Sequence, residues 1–321
     1  MSRRWAWRSW ASPSATRPRS SITARRSSRY PDVVRIPPWA RPESVSEEEG
    51  WHLARDRIAW RSQGYPDPSS FEGWSGDGQV DYLLSRPTPD TLDLSGLGLR
   101  RLPQELSEAI GLSFLFLDSN RLESVPVELL ENLSLESLSL FANPLREAQA
   151  ALFALPGLKD LYLGRTPMTR LGVPPKPVET LQMLTLDMTE WLDVPEGFLA
   201  ALPNLTALSM DNAFRKEIPP EAFGLKNLRQ LSFAGNALSA LPPEIGRLSN
   251  LRSLNLEGCK LQSLPRALAG LQGLADAAKS EIMGLRIAGN PFRDKELKRI
   301  AKLKNPERTL AALDWADRFG D

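Results

Sequence analysis

The sequence predicts an α/β solenoid of about nine units, a horseshoe with a parallel sheet on its concave side and helical caps at both ends. Three observations carry that prediction. The first is a period: Leu228, Leu231, Phe233, Asn236, Leu238, Leu241 and Pro242 return as Leu251, Leu254, Leu256, Cys259, Leu261, Leu264 and Pro265, each 23 residues on. The second is alternation within the unit. The fourth and sixth residues of a strand point to one face, and the third, fifth and seventh to the other. One such strand cannot bury its apolar face, but the next unit stacked beside it does so. The third is punctuation. A small hydrogen-bonding residue at the ninth position serves backbone groups that the strand ladder no longer pairs, and the Leu-Pro pair ends the strand and starts the convex return.

In chain order, residues 1–41 form a basic leader. Its first 30 residues hold eight Arg and eight Ser, and no Asp or Glu precedes Asp32. Such a composition fits a disordered arm, a transit peptide, an effector-type secretion signal or an upstream start codon. Residues 42–88 are predicted to cap the solenoid. Glu47–Glu49 and Arg55, Arg57 and Arg61 suit the two ends of a helix dipole, a loop covers 64–78, and a second short helix covers 79–85. Trp51, Trp60, Phe71 and Trp74 would cover the first unit.

Residues 89–293 hold the repeats. Unit one, TLDLSGLGLRRLP, has Leu97 at the turn site. Unit two carries Leu112, Leu115, Leu117 and Asn120; unit three carries Leu135, Leu138, Leu140 and Asn143, with Ala148-Gln149 in place of Leu-Pro. Unit four carries Leu158, Leu161, Leu163 and Thr166, and its VPPKP return reads as extended. Unit five carries Leu181, Leu184, Leu186, Thr189 and Trp191. In unit six, Ala213 takes the turn site and Arg215 a buried one, which predicts a local bulge. Unit nine, with Ile282, Leu285, Ile287 and Asn290, follows a helical insertion at Gln272–Glu281. Residues 294–321 form the C-terminal cap: Asp294 caps one helix, and Pro306 opens another at its first helical position.

This spacing is the leucine-rich-repeat signature, and LPPEIGRLSNLRSL resembles the 23-residue cytoplasmic class. That class includes Ras-group scaffolds and the repeat regions of Roco GTPases and their bacterial relatives; TLDLSGLGLRRLP is similar to the first unit of bacterial members. The resemblance implies a cytoplasmic, signalling or scaffolding protein that binds other proteins. The excess of Arg over Lys also suits bacterial, GC-rich coding. The chain departs from its multidomain relatives: it has no G-x-x-x-x-G-K-[ST] loop, and no room after Asn305 for a Cys-dependent ligase domain.

Composition narrows the function classes. The formal charge of +1 favours neither nucleic acid nor membrane, and no apolar run is long enough to span a bilayer. A single Cys excludes an intramolecular disulfide and favours a reducing compartment. His52 is the sole His, so multi-His metal sites and ordinary His triads are excluded, and Cys259 reads as a buried structural thiol. A non-enzymatic, monomeric module without cofactor or metal is expected.

The candidate site is what the strands turn outward. Phe114, Phe116, Phe141, Tyr162 and Met183 form an apolar set in the N-terminal half, edged by Asp118, Asp160, Asp187 and Asp211. Aromatics flanked by charge suit a protein-binding hot spot, and the acid edge disfavours nucleic acid and suits a basic partner. Phe114 and Phe116 could instead pack beneath the N-terminal cap. The leading expectation is a protein bound on this face; the alternative is a secreted bacterial effector whose repeats select a host protein.

Overall fold

Nine short parallel strands lie side by side in the computed structural model, which describes residues 50–52, 54–55 and 90–320 apart from 110, 132, 190–191 and 281–282. The leader, most of the predicted N-terminal cap (Trp60, Phe71 and Trp74 among it), Trp191 and Ile282 lie outside the described residues. The strands are β1 (Thr91–Asp93), β2 (Phe114–Phe116), β3 (Ser137–Ser139), β5 (Asp160–Tyr162), β7 (Met183–Thr185), β8 (Ala207–Ser209), β9 (Gln230–Ser232), β10 (Ser253–Asn255) and β11 (Gly284–Arg286), paired in that order. No register shift occurs anywhere: Phe114 pairs with Ser137, Ser137 with Asp160, Asp160 with Met183, and so on to Ser253 with Gly284. The central Leu of each strand, from Leu92 to Leu285, is at most 1% exposed. Each such side chain contributes about 2 kcal/mol of apolar burial, and a one-residue slip would turn the whole row to water.

Asparagine fixes the spacing between units. The Asn120 amide oxygen accepts from Leu97 N at 3.1 Å and Leu99 N at 3.0 Å, one unit back. Its NH2 group donates to Leu94 O and Leu117 O, both at 2.9 Å. Asn143, Asn236 and Asn290 each join two units in the same way. Cys259 supplies only a thiol, donated to Phe233 O at 3.1 Å. A second series begins the later units: Asn204, Asn227 and Asn250 donate to the carbonyls of Glu179, Pro203 and Lys226.

The residue before each ninth position is left-handed. Units one, seven, eight and nine place Gly96, Gly235, Gly258 and Gly289 there; units two to six place Ser119, Ala142, Arg165, Met188 and Asn212, with φ between 54° and 57°. Only glycine adopts that conformation without steric cost.

Two expectations change, and two features appear that no expectation covered. Where unit three lacks Leu-Pro, no proline removes the amide, and a second two-stranded sheet forms between β4 (Glu147–Ala148) and β6 (Arg170–Leu171). It is followed by helix α1 (Ala150–Phe153). Gly172 allows the close approach, since a Cβ there would lie 2.3 Å from Ala150 N. Unit six has no bulge: β7, β8 and β9 keep register. Its irregularity sits in the turn, where Phe214 is also left-handed and Arg215 donates through its guanidinium to Leu192 O. In the C-terminal cap, Pro306 stands one residue earlier than expected, at the N-cap of α4 (Glu307–Phe319). Most convex returns are single 3-10 turns, such as Pro243–Arg247.

Other elements follow the sequence. The insertion holds helix α2 (Gln272–Ala277), and Asp294 caps α3 (Lys295–Ile300) by accepting from Leu297 N at 2.8 Å. The first turn of α4 closes the open edge of β11: Thr309 Oγ1 accepts from Leu285 N at 2.9 Å, and Arg308 Nε donates to Leu285 O at 2.9 Å. At the other end, residues 50–52 and 54–55 sit against unit one. Ala54 is fully buried, Arg55 pairs with Glu105 at 2.6 Å, and the Arg101 guanidinium lies 4.7 Å from the Trp51 ring centroid.

Candidate functional site: the outward face of the sheet

In-register pairing sorts the outward side chains into three rows. The third positions run Thr91, Phe114, Ser137, Asp160, Met183, Ala207, Gln230, Ser253 and Gly284; the fifth run Asp93, Phe116, Ser139, Tyr162, Thr185, Ser209, Ser232, Asn255 and Arg286. The seventh positions, just past the strands, include Asp118, Phe141, Gly164, Asp187, Asp211, Ala234 and Glu257. All nine predicted site residues, Phe114, Phe116, Asp118, Phe141, Asp160, Tyr162, Met183, Asp187 and Asp211, are half-buried on this face. The hydroxyl residues between them are more covered; Ser137, Ser139 and Thr185 are each 5% exposed.

The aspartates divide into two kinds. Asp118, Asp187 and Asp211 are clamps between units. The Asp118 carboxylate accepts from the Ser139 hydroxyl and from Phe141 N at 3.0 Å. Asp187 accepts from the Ser209 hydroxyl at 2.6 Å and Asp211 N at 2.8 Å, and Asp211 from the Ser232 hydroxyl at 2.6 Å and Ala234 N at 2.7 Å. Asn255 extends the second series by donating to the Ser232 hydroxyl at 3.0 Å. Three members of the predicted acid edge therefore have one oxygen committed to the fold. A sequence signal for this existed: Asp at the seventh position with Ser 21 or 22 residues later.

Asp160 differs. Its carboxylate accepts no hydrogen bond from the described residues, and its neighbour Lys159 is paired with Glu136 at 2.7 Å. Burial raises the pKa of all four: to about 6 for Asp118, where the Ser139 and Phe141 bonds pull back down, and to about 6 for Asp211, where repulsion from Asp187 adds. Burial also raises Asp160 and Asp187.

The apolar side chains are held in place by their neighbours. The Phe141 ring covers Gly164, where an added Cβ would sit 3.0 Å from two ring carbons. The Tyr162 hydroxyl donates to Met183 Sδ at 3.2 Å, and burial pushes the phenol up to about 12. Phe114 and Phe116 on β2 are separated from Asp160 and Tyr162 on β5 by the serines of β3, a separation of about 10 Å at ordinary strand spacing. Two apolar residues were missed by sequence reasoning: Met188 is 45% and Phe214 is 67% exposed, in the turns of units five and six. The signal for Met188 was a bulky residue where regular units have Gly.

Toward the last units the face becomes polar, and Arg286 pairs with Glu257. Among the described residues, no group of three or more His, Cys, Asp or Glu could hold a metal ion, and no helix is long and apolar enough to cross a membrane.

Comparison with known proteins agrees with this geometry. Residues 203–261 match the family described as Leucine rich repeat, and a search of curated proteins finds no match. Among solved structures, human 5T4 (Wnt-activated inhibitory factor 1, trophoblast glycoprotein) is 23% identical with a TM-score of 0.50, covering 63% of this chain and 77% of that one. A leucine-rich-repeat protein of Leptospira interrogans is 24% identical with a TM-score of 0.36, covering 64% of this chain and 62% of that one. The ectodomain of the Arabidopsis thaliana receptor kinase GASSHO1/SCHENGEN3 is 25% identical with a TM-score of 0.45, covering 60% of this chain and 26% of that one. The chain thus spans less than two thirds of the latter two. With nine in-register parallel strands, an asparagine ladder between units and the family match at its most regular repeats, the chain folds as a leucine-rich-repeat solenoid.

Proposed function

We propose that this protein is a non-enzymatic interaction module whose concave face, across units two to six, binds a protein partner with a basic surface. Leucine-rich-repeat solenoids are in general protein-binding modules that use extended concave surfaces. The observation that carries the assignment to this face is its composition. Five half-buried apolar side chains, Phe114, Phe116, Phe141, Tyr162 and Met183, share it with Asp93, Asp118, Asp160, Asp187, Asp211 and Glu257, against the single cation Arg286 among the described residues of the three outward rows. Aromatic groups beside charge are efficient contact residues, and an acid excess steers a basic partner. The single Cys favours a reducing, cytoplasmic setting, and the reading is of a monomeric scaffold there.

The test is affinity capture from native extract with the intact chain and with a Phe116→Ser, Tyr162→Ser double variant that matches it in circular dichroism. A protein retained by the parent and lost from the variant is expected. A folded variant that keeps every partner refutes the assignment to this face.

The second reading, a secreted bacterial effector, rests on the Arg- and Ser-rich, acid-free composition of residues 1–30. It expects residues 1–41 fused to a reporter to direct translocation; a reporter that stays in the producing cell removes it.

A further inference from the structure

We propose that Asp160 and Tyr162 together receive an arginine side chain of the partner. The inference rests on the concave-face reading above and names the chemistry at its centre. Four aspartates edge the apolar set, and they are not equivalent as acceptors. Asp118, Asp187 and Asp211 each hold a serine hydroxyl and a backbone N–H of the following unit. Asp160 sits on β5 with both carboxylate oxygens free of hydrogen bonds from the described residues, although it is half-buried. A partly desolvated carboxylate without a donor is costly to maintain, and a partner's donor removes that cost.

Its surroundings select the donor. Lys159 offsets part of the burial cost through its charge, but its ammonium is bonded to Glu136 and gives the carboxylate no hydrogen bond. Tyr162 lies two residues on, on the same face of the same strand, and spends its hydroxyl on a thioether, a weak acceptor. An aromatic ring beside two free carboxylate oxygens matches a guanidinium, which is planar, donates in a fork and stacks on aromatic faces. A lysine ammonium satisfies the charge but neither the fork nor the stacking. The cation of the outward rows, Arg286, lies five units away and is paired with Glu257, so it does not compete.

The experiment is selection of a displayed random nine-residue peptide library on the full chain, followed by affinity measurement on the enriched peptides. Enriched sequences are expected to share an Arg. Replacing that Arg by Lys should weaken binding about fivefold or more. Asp160→Asn should weaken binding of the Arg peptide at least tenfold, and Asp276→Asn, an exposed residue of α2 outside the outward rows, less than threefold. The inference is overturned if the enriched peptides lack Arg, if nothing is enriched, or if Asp160→Asn binds within twofold of the parent. Failure of the parent reading is distinguishable. Enriched peptides that still bind the Phe116→Ser, Tyr162→Ser variant locate recognition off this face. Peptides lost from that variant but indifferent to Asp160→Asn leave the face in place and remove only the arginine.

Discussion

Asp118 is a carboxylate that the fold half-buries and then partly compensates with two hydrogen bonds. Burial wins, and its pKa stands at about 6 against an ordinary 3.8. Below about pH 4 the group is protonated in both folded and unfolded chains. Between about 4 and 6 the folded state holds the proton more tightly, so this group's contribution to stability falls as pH rises and is lost above about 6. Asp118→Asn keeps an amide oxygen for Phe141 N and Ser139 while abolishing the charge. It is expected to leave stability nearly unchanged at pH 4 and to raise it by about 1–2 kcal/mol at pH 7.5, after allowing for residual solvent exposure. Urea midpoints of the two proteins at both pH values measure this, and a variant less stable than the parent at pH 7.5 would mean that the clamp bonds outweigh burial. The site was legible at this scale only in part. Residue types and their facing follow from alternation alone, so the nine side chains share the outward face, while their role in binding is a proposal. Which aspartate is committed depends on the serine of the next unit, and that requires the register between units.

Single elements show why a regular repeat was readable and its departures were not. Leu and Asn recur because every unit needs the same buried row and the same turn bonds. The β4–β6 sheet is different. It forms from an absence, the missing Leu-Pro of unit three, together with Gly172 one unit later, and no periodic signal marks such a pair. The last strand has its own solution: α4 supplies the donor and acceptor that a tenth strand would have offered. Thr309 accepts from Leu285 N and donates to Asn305 Oδ1 at 2.7 Å. Thr309→Val keeps the shape and removes both bonds, leaving a buried N–H without an acceptor. A loss of about 1–3 kcal/mol is expected. Because each unit touches only its neighbours, hydrogen exchange should accelerate at the Leu285 amide and in β10 while β2 and β3 keep their protection. Equal acceleration along the whole sheet would show the array unfolding as one cooperative block.

Across the whole molecule, strain and apolar exposure fall in the same units. Units two to six hold all five non-glycine residues at the left-handed turn position, and the same units carry Phe114, Phe116, Phe141, Tyr162 and Met183. Units seven to nine use Gly235, Gly258 and Gly289 at that position and turn small or polar side chains outward. A left-handed non-glycine residue costs about 1 kcal/mol, a cost the chain demonstrably avoids elsewhere. Met188 combines that conformation with 45% exposure, so neither packing nor turn geometry accounts for its side chain. Met188→Gly is therefore expected to stabilise the fold by about 0.5 kcal/mol, the relief of strain being offset in part by the greater freedom of glycine in the unfolded chain. The reverse change, Gly235→Met, should destabilise by more than that, because it puts a side chain at φ 68° and its Cβ, 2.1 Å from Asn212 Oδ1, would also displace the Asn212 side chain. Urea unfolding of the two variants gives both signs directly. If Met188→Gly is stabilising and also weakens capture of the partner, the strained turns of units two to six are part of the binding surface; if it is destabilising, the side chain makes a contribution to the fold that its exposure conceals.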